Sequence, residues 1–335
     1  MRPVVALLVP LLAACLLAPT GALAWGADGH RYVGELAARN FPREIPAFLR
    51  TPAAVRQIGL LAQEPDTSRN AGQPHDQDSD PGHFIDVSDD GTILGGPKLA
   101  GLPPTRREYD TALRAVNSDE YRAGFLPYNI MDGWQQLVKD FALLRMNRAG
   151  EKFAKTAAIR RRFAEARSLR QMLTLRDLGV WAHYVGDASQ PMHASVHYNG
   201  WGDGPNPEGF VTGPGLHAKF ETDFVSAHVT EADVAARLRP YRSCACAIQE
   251  RTQDYLIASA ALVSEVYRLE KAGAFDAAAP AAKDFTAGRL AEAADQLRDM
   301  VADAWHASAD TVLGYRNKMR VKDIEAGQAD PAKLD

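Results

Sequence analysis

Apolar residues recur at three- and four-residue spacing through 125–149 and 155–190, as on one face of a helix. The Ala-rich stretches 244–270 and 281–313 carry Val, Leu, Ile and Met on one stripe and predict further helices. No sustained apolar–polar alternation argues for a sheet. The pattern therefore predicts an all-α fold, one compact multi-helix domain with no repeat and no linker. It breaks twice. Residues 64–104 are rich in Asp, Gly and Pro, and 197–215 hold six glycines and three prolines, so both read as loops. Loops of that length in a compact domain are usually functional or disordered, and here they are expected to border the active site. Residues 323–335 are polar and are expected to form a loose tail.

The first 24 residues follow a different pattern. Arg2 precedes an almost wholly apolar run over 4–17, and Ala22-Leu23-Ala24 is a small-x-small cleavage site. This predicts a cleaved secretory signal peptide over 1–24, because the run is too short to span a bilayer and no stop-transfer segment follows. Leu12-Ala13-Ala14-Cys15 offers a competing lipoprotein site, but apolar residues continue past Cys15 into the better cleavage site. Cut after Ala24, the chain begins at Trp25 and its domain covers 25–322. The expected location is periplasmic or extracellular.

Charge narrows the partners. Lys and Arg total 38 against 42 Asp and Glu, a net charge of −4. Such a chain has no global basic surface, so a polyanion would have to be attracted by something other than net protein charge. Beyond the leader two cysteines remain, Cys244 and Cys246, one residue apart. Export permits a disulfide, and two free thiols at a helix start are the alternative.

Candidate chemistry gathers around the two loops. In "HYVGDASQPMH" (183–193), His183 and Asp187 are i and i+4 on a helix, within about 6 Å on one face. Pro191 then breaks the helix and His193 follows. "HAKFE" repeats the spacing with His217 and Glu221. Upstream stand Asp66 in "EPDTSR" and His83 in "PGHFID", and His30 lies five residues after Trp25. Single His–carboxylate pairs are common on helix surfaces, and His75, His197, His228 and His306 read as ordinary hydrogen-bonded histidines. Two pairs beside a further histidine point to metal. Imidazole and carboxylate without thiolate suit zinc in a catalytic site.

In combination these motifs resemble the trinuclear zinc phosphodiesterases, the superfamily that joins single-strand-specific nucleases with bacterial zinc-dependent phospholipase C. The resemblance spans about 25–226. It implies three zinc ions. One would be held by Asp66, His83, His183 and Asp187, and a second by His193, His217 and Glu221. The third would be held by the amine and carbonyl of Trp25, by His30, and by the other oxygen of Asp187. Three divalent ions against three carboxylates would leave the cluster positive in an acidic chain. The resemblance also gives Asp66 the attacking water, as base or orienter, and Arg69 a phosphate oxygen. Phe84 and Asp86 would stack on and hydrogen-bond a nucleobase, core packing being the alternative for Phe84. From the long loop, Trp201 or Phe210 is a candidate substrate contact, the alternative being that they simply pin the loop.

The expected function is a secreted nuclease cleaving single-stranded DNA or RNA, with possible nucleotidase activity. The expected protein is a monomer without a stable protein partner. Arg69, "HFID" and the long His193–His217 gap lean towards nucleic acid. Glu221 and Asp28 lean towards a phospholipid head group, so a phospholipase C acting on phosphatidylcholine-type lipids is the alternative. A non-catalytic exported zinc-binding protein is a third reading; it would need ligands but no phosphate-gripping arginine.

Overall fold

The computed structural model describes residues 25–67, 69, 72, 74–202 and 204–334. The expected signal peptide, 1–24, lies outside the described residues. The fold is all-α. Its main helices are α1 (Ala27–Arg39), α2 (Pro52–Leu61), α3 (Leu126–Phe153), α4 (Ala157–Asp187), α5 (Ile248–Ala260), α6 (Val263–Lys271) and α7 (Pro280–Ser308). Among the described residues the only strands form one ribbon, Val312–Leu313 antiparallel to Met319–Arg320. No described helix is long and apolar enough to cross a membrane.

Local chemistry sets the helix starts. Thr156 accepts a hydrogen bond from Ile159 N at the start of α4, and Thr51 accepts one from Ala54 N at α2, each satisfying an orphan donor of the first turn. Pro52, Pro127 and Pro280 occupy first-turn positions, where no intrahelical N–H is lost. The expected stretches over 125–149, 155–190 and 281–313 correspond to α3, α4 and α7. The stretch 244–270 is two helices, α5 and α6, broken at 261–262. Helices α1 and α2 arose outside the stretches that the hydrophobic spacing marked.

Helices α3 and α4 form the central antiparallel pair, with α2 against α4 and α7 against both α1 and α3. Small residues permit the close approach. A Cβ at Gly133 would lie 2.0 Å from Trp181, whose indole donates to Ile130 O at 3.0 Å. A Cβ at Gly150 would lie 2.6 Å from Phe163. Gly133→Ala is therefore expected to cost about 1–3 kcal/mol through overpacking. A lower urea midpoint at unchanged m-value would show it, and an unchanged midpoint would refute the tight fit.

The expected loose tail is docked. Ile324 is buried, and Glu325 pairs with Arg145 of α3 at 3.0 Å. Cys244 and Cys246 are joined in a disulfide. The 64–104 segment contains a short helix, Pro74–Ser79, and isolated bridges pairing Val87 with Ile93 and Thr92 with Lys98. Among its described residues the 197–215 segment forms no helix, and it is tied down by side chains: the Asn206 side-chain amide donates to Phe210 O and accepts from Phe210 N (each 2.8 Å), and Trp201 donates to Pro205 O (2.9 Å).

Candidate metal centre

The last turn of α4 brings His183 and Asp187 to one face, 3.2 Å apart, both fully buried. The backbone orients this histidine: Nδ1 donates to Ala62 O (2.8 Å), just past α2, which leaves Nε2 as an electron-pair donor. That Nε2 faces His83 Nδ1 at 2.8 Å and Asp66 Oδ1 at 3.8 Å. His83 in turn approaches Asp187 Oδ2 at 3.1 Å. The His83 segment is fixed from both sides, because Ile85 N donates to His193 O and His193 Nδ1 donates to His83 O (2.8 and 2.7 Å).

A second group lies beside the first. His217 Nδ1 donates to Tyr198 O (2.6 Å), and its Nε2 faces His193 Nε2 at 3.0 Å and Glu221 Oε2 at 2.9 Å. Since both Nδ1 atoms are spent on carbonyls, two electron pairs point at one another. His217 and Glu221 keep the i, i+4 spacing, but the chain passes there from one α-turn into a π-helical turn at Lys219–Asp223, a distortion frequent at functional sites. Gln190, whose role the spacing did not reveal, steers this group. Its amide donates to Glu221 Oε2 (2.9 Å), and its oxygen accepts from Met192 N (2.7 Å).

His30 completes the arrangement from α1. It is buried and stacks on His183 with ring centroids 3.9 Å apart. Its Nε2 lies 3.5 Å from Asp187 Oδ1. Trp25 is buried next to it, its indole donating to both Gly186 O (3.0 Å) and Ser189 Oγ (2.9 Å), directly beside Asp187. Three overlapping donor sets result: His30, Asp66 and His183; His83, His183 and Asp187; His193, His217 and Glu221. Within each set the ligand atoms lie within 4.8 Å of one another. All eight side chains expected as ligands are thus brought together, with His30 standing closer to Asp66 and His183 than the expected division among three ions implied.

This donor set fits metal. Both ring nitrogens of His30, together with Asp187 Oδ1 and Glu221 Oε1, are buried with no hydrogen-bond partner. Buried polar groups are normally satisfied, and paired imidazole electron pairs call for a cation between them. Burial holds the His30 imidazole well below its usual pKa and drives His83 down to about 3, so both are neutral, the form that ligates. His193 behaves oppositely. Burial opposes its charge, but Asp187 and Glu221 outweigh it and push the pKa up to about 9, which marks the place where the pocket attracts positive charge.

The centre opens into a cavity of about 280 Å³ bordered by Arg69, Phe84, Asp86, Arg122 and Tyr198. Arg69 contacts Asp66 (3.2 Å) and Asp80 (3.0 Å). Asp86 is pushed up to about 7 by burial. Gly124, with φ +77°, lets the chain pass where a Cβ would lie 2.1 Å from Phe84 O. Arg122, two residues earlier, is exposed and its guanidinium has no partner among the described residues. No local pattern marked Arg122 or Tyr198.

Three expected substrate contacts lie elsewhere. Trp201 does not border the cavity: it is buried, stacked on His197 (3.8 Å) and packed against Phe210 and Tyr267, so it pins the loop. Phe210 is buried in the same cluster. Asp28 also lies outside the cavity and pairs with Arg31 at 2.8 Å.

The chain matches no family model and no curated protein. Among solved structures it is similar to the alpha-toxin of Clostridium perfringens from an avian strain, at 15% identity and a TM-score of 0.40. That similarity covers 88% of this chain and 68% of the toxin. The likeness is too loose to assign a ligand or a reaction, and the functional case stands on the side-chain geometry.

Proposed function

We propose that the chain is an exported, zinc-dependent phosphodiester hydrolase that cleaves single-stranded DNA or RNA. The observation that carries this reading is the convergence of imidazole and carboxylate electron pairs, without thiolate, on the floor of a cavity that also holds Arg69 and Arg122. A storage protein would need the ligands but not the arginines. The disulfide supports export, since such bonds persist in oxidising compartments.

Asp66, His83, His183 and Asp187 would hold one ion, His193, His217 and Glu221 a second, and His30 with Asp187 and the Trp25 terminus a third. Zinc so held supplies a water of lowered pKa and positive charge for the phosphoryl oxygens. The chain's own residues do the rest. Asp66 is partly exposed beside Arg69, which lines the cavity, and burial raises its pKa, so its carboxylate can orient the attacking water and take its proton. Arg69, held by Asp66 and Asp80, presents its guanidinium to a phosphoryl oxygen. Phe84 offers a face for a base. Asp86, poised near pH 7, can donate to or accept from the base edge.

Two features favour nucleic acid over a choline lipid. Arg122, which has no partner among the described residues, suits a neighbouring phosphate and would repel a quaternary ammonium. Asp28, the carboxylate that suited choline, is paired with Arg31 outside the cavity. Side-by-side assays of the zinc-loaded protein on single-stranded DNA, single-stranded RNA and phosphatidylcholine test the reading. Nucleotide release that a chelator abolishes is expected; lipid turnover with no nucleotide release would reject it.

A further inference from the structure

A larger cleft, about 650 Å³, shares no lining residue with the cavity at the metal centre and lies between α5, α7 and the segment that carries Arg239 and Arg242. Five arginines line it, and three are neutralised. Arg239 pairs with Asp295 (3.0 Å) and with Glu292. Arg251 pairs with Asp303 (2.7 Å) and bonds Gln296 (2.9 Å). Arg298 pairs with Asp295 (2.7 Å) and Asp299 (2.6 Å).

Arg289 of α7 is different. Its guanidinium has no hydrogen bond and no ion pair among the described residues, and its Nε is buried without an acceptor. Burial lowers its pKa, yet an arginine keeps its proton. Arg289 is half-buried on the cleft wall, and a partly desolvated charge without a partner is unfavourable; every carboxylate on α7 that lines the cleft is already engaged by another arginine. Further along the cleft, where the Arg242 N–H bonds Asp299 of α7 (3.3 Å), the exposed Arg242 side chain is likewise unpartnered among the described residues. Pro240, Ala258 and Leu262 supply an apolar wall, and the volume suits a small molecule.

We propose that this cleft binds a phosphate dianion, gripped by Arg289 from α7 and by Arg242 from the facing segment. Guanidinium forks on two sides match the several oxygens of a phosphate. The apolar wall receives the body of a phosphomonoester where the phosphate carries one. Tyr255 forms part of the lining and its hydroxyl donates to Val185 O (2.9 Å), so the cleft backs onto α4 between His183 and Asp187.

Calorimetric titration of the zinc-loaded protein with sodium phosphate, and separately with adenosine 5′-monophosphate, tests this. Heat from the metal centre is common to all variants and drops out of the comparison. A site that Arg289→Gln weakens roughly tenfold or more is expected, with partial recovery in Arg289→Lys. Tighter Arg289-dependent binding of the nucleotide identifies a phosphomonoester as ligand; equal affinities identify free phosphate. In phosphate-free buffer Arg289→Gln should unfold at or above the wild-type temperature, since it removes a half-buried cation that has no partner among the described residues, and should gain less from added phosphate. Superimposable isotherms for wild type and Arg289→Gln overturn the site. A lower unfolding temperature for Arg289→Gln without phosphate also overturns it, by making Arg289 a structural residue.

Discussion

Asp187→Asn is expected to remove phosphodiester hydrolysis and to cost the protein more than one zinc ion. The reason is the placement of two oxygens on one carboxylate. Oδ2 lies 3.1 Å from His83 and 3.2 Å from His183, while Oδ1 faces His30 at 3.5 Å and has no hydrogen-bond partner. One side chain thus serves two sides of the centre. An amide keeps one weaker oxygen donor and turns an N–H2 group towards imidazole nitrogens or a cation. The loss in metal affinity should exceed the roughly 10–100-fold that follows removal of a ligand's hydrogen-bond partner. Elemental analysis after dialysis, together with the rate of single-stranded DNA cleavage, checks both parts. Wild-type zinc content in the variant would show that Asp187 is not shared.

Much of this centre was legible in the chain because it is written in short spacings. His183 with Asp187, and His217 with Glu221, each need only helical geometry to meet. The same periodicity marked α3, α4 and α7. What could not be read depends on contacts between distant segments. His183 is oriented by the carbonyl of Ala62, and the His83 segment is locked to His193 by two hydrogen bonds more than a hundred residues apart in sequence. Gln190 looks like part of a turn until the fold sets it against Glu221. Arg122 has no motif; bonds such as Asp86 N to Ala123 O and Phe125 N to Pro81 O (each 2.8 Å) bring its segment to the cavity. Trp201 allowed two readings for the opposite reason. A tryptophan in a glycine-rich loop beside ligands invites a substrate role, but His197, Phe210 and Tyr267 bury it, and burying so large an apolar surface gives the loop its shape.

A protein that retains Ala24 before Trp25 is expected to hold less zinc and to hydrolyse phosphodiesters far more slowly, although every side-chain ligand is intact. The Trp25 indole is clamped by Gly186 O and Ser189 Oγ, and its ring packs on Phe220 at 5.3 Å. The next residue, Gly26, donates its N–H to Glu221 O (3.3 Å) and accepts from His30 N (3.3 Å). The backbone of residue 25 is thereby held between the Asp187 turn and the Glu221 segment, one helical turn from His30. Cleavage after Ala24 would place a free amine there. Its pKa, about 8, makes loss of the proton to a metal inexpensive at neutral pH. A preceding residue replaces that amine with an amide, whose electron pair is delocalised and does not ligate. The comparison is between two preparations, one beginning at Trp25 and one at Ala24, assayed for zinc per chain and for cleavage of single-stranded DNA. Their chelated forms should unfold at the same temperature, because the indole clamp is common to both. Equal zinc content and equal rates would show that the terminus anchors the fold without joining the centre.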